Sequence, residues 1–312
     1  MRSKRPSPLS YVWYILAAGL FIIAAGCTSD ESAIEVDLNR RTDLMAPGPG
    51  KSLAYAYLPQ YSHQTSYERH RLLVEYLRDA TGLSFRQVYP DTFDEHEKMV
   101  MRGEIDISFS NPFVYVRLAR GGASAFARTI ELSGQPDFYS QIIVRADNRA
   151  IRTIADCRGK RWIAVDPTSA GGYLFALGHF HDQGVFLKDF TEVVFAPGPG
   201  GKQEKVILSV YAGNYDIGSV RDGSLELMGD RIDLSQIRVL AESWHYPGWV
   251  YSARSGLDPR VVERVTQAML ALVPDNPVHR KILDTARFKA IVASNDDDFK
   301  PIRDLVAKLE LD

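Results

Sequence analysis

From Lys51 onward, short apolar runs alternate with amphipathic stretches, and this alternation is the strongest constraint on what the chain can fold into. Residues 53–58 read as a strand. Residues 67–80 read as a helix, with Tyr67, Leu72, Leu73, Tyr76 and Leu77 at helical spacing and Gly82 as its stop. Residues 84–89 predict a strand, 93–102 a helix closed by Gly103, 105–109 a strand, and 112–119 a helix opened by Pro112. The pattern then resumes with strands at 139–145, 161–165, 193–195, 216–220 and 237–241. Helices are expected at 154–158, 172–182 and 203–211, and the tail from 258 to 312 reads as mostly helical. Strands and helices at this spacing predict parallel strands joined by crossover helices. Two such units, with no sequence repeat linking them, predict an α/β protein of two lobes, each an open and mostly parallel sheet flanked by helices. The expected boundaries are 51–138 plus 238–312 for the first lobe and 139–237 for the second. Open parallel sheets bind ligands beyond the carboxyl ends of their strands. The expected site therefore lies between the lobes, closing about the strands near 139–144 and 237–241.

The start of the chain points to export. Arg2, Lys4 and Arg5 precede an uncharged run from 11 to 25, followed by Gly26 and Cys27. The small residues Ala24, Ala25 and Gly26 before a cysteine suit a lipoprotein signal over residues 1–26, with Cys27 lipidated and the chain held on the cell envelope. Ala24 stands where a larger aliphatic residue is usual. Residues 27–50 are polar, end in Pro-Gly-Pro-Gly, and read as a flexible tether. Lipidation of Cys27 leaves Cys157 as the one thiol, which excludes an internal disulfide and a cysteine metal site. Loss of the three basic residues takes the formal charge from −2 to −5, with no basic excess for nucleic acid.

One segment carries binding chemistry on its own terms. Asp166, Pro167, Thr168 and Ser169 end a strand, and Ala170, Gly171 and Gly172 open a helix. Free N–H groups at a helix start favour an anion, and glycines admit it closely. Taken alone, the same residues fit a simple helix cap better. Other constellations lack the full pattern. His179 and His181 sit two apart, on different helix faces. Residues 198–202 lack the phosphate-loop spacing, and Asp296 to Asp298 lack the rest of a calcium loop. No nucleophile elbow or paired Cys and His appears, so no enzyme, metal or cofactor is expected.

Four segments together resemble the phosphate/phosphite/phosphonate-binding family of ABC-transporter substrate-binding proteins, of the type II periplasmic binding fold. They are residues 103–107 followed by Asn111, Pro112 and Tyr115; residues 139–144; residues 156–173; and residues 210–218. The resemblance spans about residues 53–305 and implies a monomer that takes a small oxyanion to a membrane permease. A sensor that presents its bound state to a receptor kinase is the alternative. By resemblance, the ligand's acidic group falls at Ser169, Ala170, Gly171 and Gly172, with Tyr139, Ser140 and Gln203 as further donors. Tyr57, Phe93, Asn111 and Tyr246 complete the expected set, within an aromatic group that includes Tyr61, Phe109, Trp244 and Trp249. The family's pattern is not intact. Two hydroxyls after Ser169 are missing, Gln203 stands in place of a histidine, and an acidic residue near 244–249 is absent. Aromatics in these numbers also suit an organic cation, a second alternative. Ser169→Ala combined with Gly172→Asp is expected to abolish binding without disturbing the fold.

Overall fold

The computed structural model describes residues 52–311; the signal expected at 1–26, the tether expected at 27–50 and Cys27 lie outside them. In the first half, β1 (Ser52–Tyr57), β2 (Ser84–Val88) and β3 (Ile107–Ser110) alternate with α1 (His63–Thr81), α2 (Phe93–Met101) and α3 (Pro112–Arg120). The side chains of Ser62, Thr92 and Asn111 cap the three helix starts by accepting backbone N–H groups. β4 (Ser124–Ile130) and the two-residue β5 (Asp137–Phe138) lead across to β6 (Ser140–Arg145). β7 (Arg161–Ala164), α4 (Phe175–Asp182), β8 (Glu192–Phe195), α5 (Lys202–Tyr211), β9 (Ile217–Arg221) and β10 (Ile237–Glu242) follow. β11 (Tyr246–Pro247) returns to β12 (Val250–Ala253), α6 (Pro259–Leu270), α7 (Pro277–Ala286), β13 (Ala290–Ala293) and α8 (Lys300–Lys308).

Two sheets result, in the orders β13-β4-β12-β3-β1-β2 and β10-β6-β9-β7-β8. In each, three strands are parallel: β2, β1 and β3 in one, and β8, β7 and β9 in the other. The remaining pairs are antiparallel, and the crossings explain why. Ser140 pairs with Arg221, the last residue of β9, and Val250 pairs with Ser110, the last residue of β3. Both crossings thus enter at the carboxyl edge of the parallel strands, so the entering strand must run the opposite way.

Two expectations need correction. β10 pairs with β6 along 237–242, so residues 238–242 belong to the second sheet and the chain recrosses only after Glu242. The crossing segments themselves pair as a ribbon, Phe138 with Tyr246 and Asp137 with Pro247. A short repeat also links the lobes. Gly103 and Gly213 both take positive φ after α2 and α5, and each is followed three residues later by an aspartate. Asp106 accepts from Ala54 N of β1 at 2.8 Å, and Asp216 accepts from Arg161 N of β7 at 2.9 Å. Each aspartate ties a parallel strand to its neighbour, a role spacing alone did not reveal.

Each lobe has its own apolar core, and a further cluster joins them. Phe113 and Val116 of α3, Phe138 of the ribbon, Leu174 and Phe175, and Ile302 and Leu305 of α8 form this shared cluster. Cys157 is fully buried, and burial pushes its thiol up to about 12, as suits a small core residue. No helix among the described residues is long and apolar enough to cross a membrane.

Candidate ligand site

The carboxyl ends of β1, β3, β7 and β9 meet between the lobes and bring most of the expected residues together. Tyr57 closes β1. Its ring is stacked on Phe109 at 5.5 Å and Tyr61 at 6.3 Å. Phe93 begins α2 and lies 5.8 Å from Lys202 Nζ of the opposite lobe. Asn111 has two duties. Its Oδ1 accepts from Phe113 N and Val114 N at the start of α3, and its Nδ2 donates to Thr168 O across the cleft at 3.2 Å. Gly201 N of the second lobe donates to Gln60 O of the first at 3.2 Å, a second bond across the cleft.

Asn111 therefore separates capping from lobe contact. Asn111→Asp keeps the cap acceptor and loses the donor to Thr168, whereas Asn111→Ala loses both. The alanine variant is expected to lose about 1–2 kcal/mol in urea unfolding. The aspartate variant is expected to lose less than half of that.

The helix start after β7 is more committed to the fold than expected. Ser169 Oγ accepts from Gly172 N at 3.1 Å, so the hydroxyl serves as a cap. Ala170, Gly171 and Gly172 are buried within a π turn (Ala170–Leu174) that precedes α4. Gly172 O accepts from Val165 N and from Ser219 Oγ. A Cβ at Gly172 would lie 2.3 Å from Val165 Cγ2, and one at Gly171 would lie 2.8 Å from Arg221 Cβ. Gly172→Asp therefore cannot leave the fold undisturbed, which corrects the expectation for the double variant.

Two further expected ligands are used elsewhere. Ser140 Oγ donates to Val220 O within the sheet at 3.4 Å. Tyr246 stacks on Phe175 at 4.3 Å in the cluster that joins the lobes. Both corrections take these residues out of the ligand set. Tyr139 stacks on His245 at 4.6 Å beside the ribbon. Gln203, at the start of α5, accepts from Arg221 N at 3.1 Å. Phe109 and Trp249 are core residues, and Trp244 is exposed.

Sequence reading missed the charges. Asp166 receives Thr168 N and Oγ1 at 3.0 Å and pairs with Lys202 Nζ at 2.5 Å. Arg221 Nη2 lies 3.2 Å from Glu131 Oε1 of the first lobe, with its guanidinium 5.0 Å from the Phe138 ring. Burial works against the charge on Arg221, but Glu131 and Asp222 outweigh it and hold its pKa above the ordinary value. Arg69 of α1 lies 4.9 Å from the Tyr61 ring centroid and 5.7 Å from that of Tyr57. Arg69 and Arg221 both line an interlobe cavity of about 350 Å³, with Tyr61, Glu131, Asp222 and Arg287. The available signal was positional: Arg221 directly follows an apolar strand, at the edge where open sheets bind.

The family described as ABC transporter, phosphonate, periplasmic substrate-binding protein matches residues 55–299. The phosphate-import protein PhnD of Mycolicibacterium smegmatis is 24% identical over 259 residues, covering 80% of this chain and 78% of its own. The structure of PhnD1 from Prochlorococcus marinus in complex with methylphosphonate is similar with a TM-score of 0.72 and 18% identity, covering 83% of this chain and 98% of its own. A binding protein component of an ABC phosphonate transporter from Pseudomonas aeruginosa gives 0.71 and 19%, over 83% and 86% of the two chains. With the match running across both lobes and both crossings, the chain belongs to the periplasmic substrate-binding proteins of phosphonate ABC transporters, which are transport components and not enzymes.

Proposed function

We propose that this chain captures a small phosphorus oxyanion, a phosphonate or phosphate, between its lobes and delivers it to an ABC permease as a monomer. The observation that carries this reading is the family match from 55 to 299 on a fold whose cleft gathers the carboxyl ends of β1, β3, β7 and β9. Tyr57, Phe93, Asn111, the turn from Ser169 to Gly172, and Gln203 frame the site; Tyr139 stands at its edge. Guanidiniums already face Tyr57 and Tyr61, which disfavours an organic cation there. The family match also favours delivery to a permease over presentation to a sensor kinase. Isothermal titration of the exported chain with methylphosphonate, phosphite and phosphate is expected to show saturable binding, micromolar or tighter, for at least one. Absence of binding for all three would refute the reading.

Export to the periplasm or envelope follows from the family. We propose further that Cys27 is lipidated and that residues 27–50 tether the lobes to the membrane. Cys27→Ser is expected to move the protein from the detergent phase to the aqueous phase in a cloud-point partition. An unchanged distribution would leave the anchor to some other feature.

A further inference from the structure

We propose that the ligand's anionic head is clamped by two guanidiniums from opposite lobes, Arg69 and Arg221, and that Glu131 holds Arg221 until the ligand displaces it. This inference rests on the reading above and places the head at the end of the cleft that Arg69 and Arg221 line, to which the turn from Ser169 to Gly172 contributes no lining residue.

Position comes first. Arg221 ends β9 at the carboxyl edge of the second sheet, and Arg69 projects from α1 of the first lobe; both line the same cavity of about 350 Å³. That cavity carries three guanidiniums, those of Arg69, Arg221 and Arg287, against the carboxylates of Glu131 and Asp222. Its lining is therefore positive by one formal charge, within a chain whose overall formal charge is −2.

Both clamp residues have unspent donors. A guanidinium offers five N–H groups in a planar fork. Arg69 Nη2 donates to Ala286 O at 2.9 Å, Nη1 reaches Tyr57 Oη only at 3.4 Å, and Nε is buried without a partner. The guanidinium of Arg221 pairs with Glu131 through Nη2 at 3.2 Å. The two cations also repel one another. A tetrahedral oxyanion supplies several charged acceptor oxygens, suits the fork geometry and relieves that repulsion.

Arg221 is also held in place. Its Cβ fills the space over Gly171, its ring neighbour is Phe138, and its backbone N–H is fixed by Gln203. Gly171 thus serves as the floor beneath the arginine, and Gln203 acts on the ligand through it. A preformed cation of this kind loses little freedom when it meets an anion. Because one carboxylate already faces it, a ligand must compete with Glu131. That sets this arrangement apart from a latch, in which Glu131 and Arg221 would assist closure.

The test is isothermal titration of methylphosphonate and inorganic phosphate into the full exported chain and four variants. Arg69→Gln and Arg221→Gln are expected to weaken binding by about 100-fold, and Glu131→Gln to strengthen it by about 10-fold by removing the competitor. Arg221→Gln with Glu131→Gln leaves no unpaired charge behind and is also expected to bind weakly, which separates loss of the clamp from loss of folding. Unchanged affinity in the arginine variants would overturn the clamp and leave the proposed function standing. Weaker binding by Glu131→Gln would show a latch and overturn displacement. No binding of either anion, or of phosphite, by any form would overturn the clamp together with the reading it rests on.

Discussion

Gly172→Ala is expected to lower folding stability by about 3 kcal/mol or more, and Gly172→Asp to prevent folding. A new Cβ there would sit 2.3 Å from Val165 Cγ2, 2.5 Å from Val165 Cβ and 2.8 Å from Ser169 Oγ. Val165 is fully buried, and its Cβ is one bond from the backbone, so it has little room to yield. The turn cannot move outward either, because Gly172 O is held by Val165 N and Ser219 Oγ, and Gly172 N by Ser169. Sequence offered another reason for glycine here, close approach of an anion. The two reasons separate in a double variant. If packing sets the requirement, Val165→Ala relieves the clash, and Gly172→Ala costs much less in that background than in the parent. If ligand approach sets it, Gly172→Ala alone unfolds in urea within about 1 kcal/mol of the parent. That second result would return Gly172 to the binding surface.

The elements legible in the sequence are those whose signals are local. β1, β2, β3 and their helices follow one another with a cap at each start, Ser62, Thr92 and Asn111, and with Gly82 as a stop. β4, β12 and β13 were not read. β12 is four residues, all buried, so it shows no alternation. β13 lies in a charge-rich tail and becomes a strand only by pairing with β4, Ala290 opposite Ile130. Such pairings join residues far apart in the chain and leave little local trace. The site divides in the same way. Asn111 and Ser169 were legible as positions between a strand end and a helix start, because those are local features. The sequence left Ser169 open between capping and binding, because a cap and a ligand donor use the same residue types. Arg69 looked like one more surface charge on a helix that also carries Arg71 and Arg78. Only the meeting of the lobes places it in one cavity with Arg221.

Acidification to pH 5 is expected to lower folding stability relative to pH 7.5 through two buried histidines, with about 2 kcal/mol of the loss from His96. His96 of α2 is fully buried, with Nε2 2.7 Å from Ser108 Oγ and Nδ1 unpartnered. Burial depresses its pKa to about 3. His70 of α1 is equally buried, 2.6 Å from Tyr55 Oη, and burial and then Arg69 push its pKa well down. Both imidazoles are neutral in the fold, while in the unfolded chain they take up protons near pH 6.5. The unfolded state therefore binds more protons below that pH. Stability is fully present above about pH 6.5 and is lost as pH falls toward the folded pKa. His96 contributes about 2 kcal/mol by pH 5, at about 1.4 kcal/mol per pH unit, and His70 acts in the same direction. Glu97 works the other way, since burial raises its pKa despite the opposing pull of Arg117 and lets the fold take up a proton early. The histidine share is isolated by His96→Gln, which keeps a polar partner for Ser108 and removes one titrating group. The stabilities from urea unfolding at pH 7.5 and 5.0 should lie closer together in this variant than in the parent, by about 2 kcal/mol. An equal pH dependence in parent and variant would mean that His96 is protonated in the fold, which requires that water reach Nδ1 between α2 and the sheet.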